Sequence, residues 1–482
     1  MPDNAPPLKI AYLTAGAAGM ICGSCMHDNT LARALIALGH DVQLIPLYTP
    51  IRTDEVDVSS SQIYFGGINL YLQQKLPLFR WLPKWLDRWL DQGWLIKWAS
   101  GRSVKIDPVQ VADLALSILR GTAGYQKKEV ERLADWLAGD LHPDVIVFSN
   151  MLTAGCVPEI KRRMNAPVVV TLQGDDIFLR GLPEPHQSQA LAEIRRLAHQ
   201  IDGFIANTRF YADAMSEYLG LPRARIEIVP LGIDVEDFVR DGATEGQRDG
   251  GIEGQKDGAM DEKSPNLGLS VSRSLRPLTV GYLARLAPEK GLHVLAEAFI
   301  KLRQMPGTEN ARLRIAGWMG AKNREYADGV FATLRQSGLE DAFEYVGEVD
   351  RRGKLDLLNS IDVLAVPTTY REPKGLFVLE ALAAGVPVVQ PDHGAFPEVL
   401  SETGGGLLHR PLDAEHLAQQ LHELMLNAAL RNGLAESGRN QVVENRNAQL
   451  MALKTVKVLQ SVVRNSSAPE NNWSFKHAVE VT

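Results

Sequence analysis

Glu372-Pro-Lys-Gly-Leu-Phe-Val-Leu-Glu380 is the stretch whose reading decides the fold. Ahead of it, Asp362-Val-Leu-Ala-Val-Pro-Thr368 is short, apolar and β-branched, which predicts a buried strand. From Gly375 to Ala384 the residues form helices readily, so a strand feeds directly into a helix. That turn carries two carboxylates eight residues apart, one in the loop and one inside the helix. Gly375 permits close backbone approach by a ligand. The amides of Gly375, Leu376 and Phe377 lie at the helix tip, where free N–H groups favour an anion. A carboxylate further in, Glu380, can accept hydrogen bonds from paired hydroxyls such as a ribose diol. The stretch therefore points to a sugar nucleotide, phosphate at the helix tip and polyol on the carboxylates. The plain alternative is two solvated glutamates that share a loop and a helix by chance.

A second strand-to-helix turn lies upstream, Gly281-Tyr-Leu-Ala-Arg285-Leu-Ala-Pro-Glu-Lys290-Gly291. Arg285 and Lys290 are cations that can neutralise a leaving diphosphate, because charge-assisted bonds to phosphate are the strong class. These two turns, in this order, resemble the retaining glycosyltransferases of family 4. Ile226-Glu-Ile-Val-Pro-Leu-Gly-Ile-Asp234, Ala381-Leu-Ala-Ala-Gly-Val-Pro-Val-Val389 and His393-Gly-Ala-Phe-Pro-Glu398 extend the resemblance over nearly the whole chain.

The resemblance implies a GT-B fold, two Rossmann-like, doubly wound parallel-sheet domains facing a central cleft. It implies Arg285, Lys290 and Glu372 as the catalytic set, with Glu372 on the transferred sugar and Glu380 on the ribose. It puts Glu348 near the nucleotide base, and Gly16 and Gly19 near phosphate and acceptor. At the turn where the family often carries a sugar-contacting His, this chain has Gln173-Gly-Asp-Asp176. Gln offers donors and an acceptor but cannot take a proton. A front-face retaining reaction needs no base there. Asp175, His27 and Asp28 are further candidates for acceptor or sugar contacts. The competing readings are a helix cap for an Asp and a surface position for His27. No metal or other cofactor is expected, since Arg, Lys and the helix tip supply the positive charge.

With 482 residues the chain exceeds one ordinary core, so two domains are expected. A hydrophobic content of 45% and a charged content of 23% are ordinary for a globular protein. The net charge of −7 gives no sign of nucleic-acid binding. Three cysteines, an odd number, argue against a disulfide framework and fit a reducing cytoplasm. The amino terminus lacks a signal-sequence pattern, and no apolar run is long enough to span a bilayer.

Along the chain, Leu8-Lys-Ile-Ala-Tyr-Leu-Thr14 reads as a strand, followed by a Gly-rich loop, a helix from Asp28 to Leu38 and a strand from Asp41. Cys22-Gly-Ser-Cys25 in that loop reads as a structural or substrate-adjacent thiol pair; a redox pair or half a zinc site are the rivals. Residues from about 63 to 138 form a Trp-rich basic insertion in an acceptor-side domain spanning 1–240. Trp81, Trp85 and Trp89 share a helical face among Lys75, Arg80, Lys84 and Arg88. An ordinary packed helix or an interfacial helix touching anionic membrane through 75–105 would both read this way. Residues 241–276 are too polar to bury and read as a flexible linker. Alternating strands and helices over 277–450 give a second doubly wound domain, the nucleotide-sugar-binding one, and 451–482 a terminal helix and tail.

The expected function is retaining transfer of a sugar from a UDP or GDP donor to a glycan, lipid or small-molecule acceptor, in the cytoplasm or peripherally on the inner membrane face. The rivals are another nucleotide-sugar enzyme such as an epimerase, and a non-catalytic binder. Truncating Arg285 or Lys290 is expected to abolish transfer with little effect on melting.

Overall fold

The computed structural model describes residues 6–16, 23–61, 63, 108–238 and 277–467. The Trp-rich segment at 75–105, the linker at 241–276, Gly19 and Cys22 lie outside the described residues. The chain divides into two compact units. One comprises Met1–Asn207, Ala212–Val229 and Met451–Thr482; the other comprises Thr208–Tyr211 and Pro230–Leu450.

The first unit is built on six parallel strands: β1 (Lys9–Thr14), β2 (Asp41–Pro46), β3 (Val145–Phe148), β4 (Val168–Thr171), β5 (Gly203–Ala206) and β6 (Ile226–Ile228). They lie in the order β2-β1-β3-β4-β5-β6. Every residue of β3 and β4 is buried, Val-Ile-Val-Phe and Val-Val-Val-Thr. Such unbroken β-branched runs suit a parallel sheet covered on both faces. The helix after β1 runs over Gly23–Ala37, five residues ahead of the expected start, so Asp28 sits inside it rather than capping it. The helical pattern over 413–463 resolves into three helices, Ala414–Leu426, Ala428–Asn445 and Ala448–Ser467. The last belongs to the first unit from Met451 onward and lies against β5, where a Cβ added to Gly203 would stand 3.3 Å from Val462 Cγ2.

The second unit repeats the plan with β7 (Thr279–Leu283), β8 (Arg312–Ala316), β9 (Phe343–Gly347), β10 (Val363–Ala365), β11 (Val388–Pro391) and β12 (Gly406–His409). These are also parallel, ordered β12-β11-β10-β7-β8-β9. From β7 the chain winds outward to β9, then returns to the other flank of β7 as β10. At such a reversal the loops leaving neighbouring strands diverge, and ligands of open α/β sheets bind there. The helix Leu376–Ala383 is buried from Phe377 on, which its all-apolar surface explains for every residue except Glu380. Among the described residues, no helix is long and apolar enough to cross a membrane.

Candidate functional site

The loops leaving β7 and β10 come together by backbone contact. Gly291 has φ +73°, and a Cβ there would stand 1.8 Å from the carbonyl oxygen of Pro367. Only glycine lets the Lys290 turn rest on the end of β10. The Thr369 N–H donates to the Glu289 carbonyl at 2.9 Å, fastening the same two loops. Beneath the turn, the Tyr282 hydroxyl donates to the carbonyls of Arg285 and Lys290 at 3.1 and 3.3 Å. The turn after β11 supports the second loop, with the Ala395 N–H donating to the Glu372 carbonyl at 2.8 Å. Gly375 caps the Leu376–Ala383 helix at φ +71°. A Cβ there would meet the Phe396 ring at 3.2 Å. Glycine serves the left-handed cap here, with the Phe396 ring against it.

This scaffold carries a dense charge cluster. Glu372, 6% exposed, receives Lys290 Nζ on Oε2 at 2.7 Å. The Tyr370 hydroxyl donates to that same oxygen, and Lys290 Nζ also reaches the Tyr370 oxygen at 2.7 Å. The Lys290 ammonium lies 5.0 Å from the Tyr370 ring centroid and 5.7 Å from that of Phe377. Glu372 Oε1 faces only the amides of Lys374 and Gly375, at 3.4 and 3.5 Å. Burial alone would push the Glu372 carboxyl up, but Lys290, the Tyr370 hydroxyl and Lys374 outweigh it and bring it down to about 2. Burial and the adjacent Glu372 drive the Tyr370 phenol well above its ordinary value.

The four expected side chains do not all meet directly. Lys290 and Glu372 pair with each other. Glu380 pairs with Lys354, whose Nζ is 2.5 Å from Oε1, both side chains buried. Arg285, partly exposed, holds Glu289 through Nη2 at 3.2 Å. Glu348 is exposed just past β9, the edge strand two places from β7. Sequence reading missed Tyr370, Lys374 and Lys354. The first two flank Glu372 by two residues on either side. Lys354 shares the buried face of the Arg351–Ser360 helix with Leu355, Leu357 and Leu358, and that periodicity could have exposed it. Truncating Lys290 would strand the buried Glu372, which counts against the expectation that melting would be spared. Arg285 is partly exposed and pairs with Glu289.

In the first unit, the corresponding reversal lies between β1 and β3, and a second polar cluster gathers there. Asp28 is fully buried. Its Oδ1 accepts from the Tyr12 hydroxyl at 2.9 Å and Gln173 Nε2 at 2.8 Å, and lies 3.1 Å from His27 Nδ1. Its Oδ2 accepts from Thr14 Oγ1 at 2.7 Å. Gln173 Nε2 also donates to the Ser149 carbonyl at 3.1 Å. Gln173 thus ties the end of β4 to β3 and to the first helix. Asp175 accepts from the amides of Met151 at 2.6 Å and Gln173 at 3.0 Å. Burial pushes its carboxyl up to about 6 against those two bonds. His27 is buried, not the surface residue of the rival reading. Gly16, at φ +93°, makes room for the Thr49 carbonyl, 1.9 Å from where a Cβ would stand. Cys25 and Cys156 are buried. Among the described residues, no three His, Cys, Asp or Glu are grouped to hold a metal ion.

Two family models match the chain: a glycosyl transferase 4-like domain over residues 29–232 and glycosyl transferases group 1 over residues 271–441. A glycogen synthase from Mycobacterium tuberculosis is 23% identical over 460 residues, 94% of each chain. Among solved structures, sucrose-phosphate synthase from Thermosynechococcus elongatus has a TM-score of 0.65 at 17% identity, covering 95% of this chain and 100% of that one. HepE from Anabaena in complex with UDP-glucose has a TM-score of 0.60 at 16% identity, covering 94% and 100%.

Proposed function

The chain belongs to the GT-B glycosyltransferases of family 4, and from that premise we propose that it moves a sugar, with retention, from a nucleoside diphosphate donor to a glycan, lipid or small-molecule acceptor. One observation carries the donor assignment. At the reversal between β7 and β10, three lysines, Lys290, Lys354 and Lys374, stand against two glutamates, Glu372 and Glu380, all nearly or fully buried. Buried ammonium groups beside a helix tip, where solvent is scarce, are a setting for a phosphate. Arg285 and the helix-tip amides extend that field.

In this reading Lys290 and Arg285 stabilise the departing diphosphate. An ammonium has three donor hydrogens; Glu372 and Tyr370 hold two on Lys290, and the third goes to a phosphate oxygen. Glu372 Oε1, with only long amide contacts, takes a hydroxyl of the transferred sugar. Glu380, braced by Lys354, takes the ribose hydroxyls, and Glu348 lies toward the base. HepE's complex with UDP-glucose and the names of the sugar-transferring relatives support a UDP or GDP donor. Three cysteines, an odd number, support a cytoplasmic location.

The test is a thermal-shift and nucleotide-release panel with UDP-glucose and GDP-mannose, with and without EDTA. One donor should raise the melting temperature and release its nucleoside diphosphate at a rate EDTA does not change. Arg285→Ala should slow that release at least tenfold without altering melting. Binding without release would make the protein a sensor; no binding of either donor would remove the assignment.

A further inference from the structure

Tyr370 holds none of the roles assigned above, yet it completes the geometry around Glu372. Its hydroxyl donates to Glu372 Oε2, Lys290 Nζ reaches that oxygen at 2.7 Å, and the same Nζ reaches the Tyr370 oxygen at 2.7 Å. Three groups therefore close a triangle on one carboxylate oxygen. A phosphate taking the third hydrogen of the Lys290 ammonium draws that group away from Glu372. Without a second anchor the carboxylate would swing after its lysine or drift from it. The phenol supplies that anchor from a site set by the loop itself, because the Tyr370 carbonyl accepts from Thr368 Oγ1 at 3.0 Å.

We propose that Tyr370 is a positioning residue for sugar transfer: it fixes Glu372 by Oε2 so that Oε1 meets a hydroxyl of the donor's sugar while Lys290 turns to the phosphate. The inference rests on the nucleoside diphosphate sugar reading of this loop pair. It separates two functions within one cluster. Nucleotide affinity belongs to the cations and the helix tip, and sugar orientation belongs to the tyrosine–glutamate pair. Losing the phenol also removes one donor that keeps Glu372 ionised, so the pH at which the acid limb of activity falls should rise.

The experiment compares Tyr370→Phe with the wild type, using UDP and UDP-glucose, or GDP and GDP-mannose if those shift the wild type. The variant should keep its thermal shift with the bare nucleotide and lose the extra shift the sugar adds. Its kcat should drop at least tenfold, with nucleotide Kd within about twofold, and its acid limb should move upward. A variant that keeps the sugar increment, kcat and acid limb overturns the role. A wild type unmoved by all four ligands overturns the donor reading and this inference with it. If Tyr370→Phe melts early by itself, the comparison moves to a Glu372→Gln background. There the added Tyr370→Phe should cost no further activity, and a full second loss would overturn the proposal.

Discussion

The two units carry polar clusters at equivalent places in equivalent sheets, and they are chemically opposite. In the first, Asp28 is surrounded by the hydroxyls of Tyr12 and Thr14, the amide of Gln173 and the ring of His27, with no lysine or arginine among its hydrogen-bond partners. In the second, each buried glutamate has a lysine within 2.7 Å, and a further buried lysine stands two residues from Glu372. The first arrangement spends an acid's acceptor capacity on holding β1, β3, β4 and a helix together. The second sets lysines against its acids. Topology says where a ligand can go; the local balance of lysine and glutamate says whether it is an anion.

The sharpest break of this contrast is Lys290→Ala. It removes the ammonium from Glu372 and from the proposed phosphate site together. Losing one partner of a buried charge pair costs about 2–5 kcal/mol, so kcat/KM should fall by about thirty- to several-thousand-fold. Melting should drop by roughly 10 °C, because a buried carboxylate is left without its cation. Unchanged melting alongside lost activity would mean that Glu372 is not held as described.

Asp28→Ala should act on the first unit alone. It removes the shared acceptor of the Tyr12 and Thr14 hydroxyls and one of the two acceptors of the Gln173 amide, and a buried group that loses its partner costs about 1–3 kcal/mol. Calorimetry should show a destabilisation of about 3 kcal/mol or more, while nucleotide affinity stays within about twofold. Weakened nucleotide binding of tenfold or more would dissolve the division of labour between the clusters.

The smallest effect is a pH slope. The Asp175 carboxyl sits at about 6 in the folded chain against 3.8 in its ordinary state. A raised carboxyl favours the folded state when protonated. That contribution is complete below about pH 4, is lost as pH rises to 6, and is flat above. The shift of about two units corresponds to roughly 3 kcal/mol at most. Denaturant titrations from pH 4 to 7 should show this decline in the wild type and a flatter profile in Asp175→Asn. Glu372 runs the other way: held at about 2, it stabilises fully above about pH 4.5 and loses that only as pH falls toward 2.

The second unit was the more legible in sequence, for a physical reason. A ligand site at a strand's carboxyl end uses residues adjacent in sequence, so Arg285 to Lys290 and Glu372 to Glu380 could be read as motifs. Strand patterns were equally plain, because parallel strands buried on both faces become unbroken apolar runs such as Val168–Thr171. Pairings over long separations were invisible. Nothing local says that Lys354 will meet Glu380, or that Gln173 will donate to Asp28 from 145 residues away. The surroundings of glycines were equally invisible: Gly16 and Gly375 each lie against another part of the protein, the Thr49 carbonyl and the Phe396 ring.

The return of the final helix to β5 has a consequence for biosynthesis. The unit encoded mostly by the first half of the chain lacks a packing element until residues beyond Met451 are made. The other unit ends at Leu450, so all of its residues precede that element. Vectorial synthesis normally favours the amino-terminal domain. Here the amino-terminal unit is completed last, and a nascent chain ending before Met451 would leave the flank of β5 without its helix.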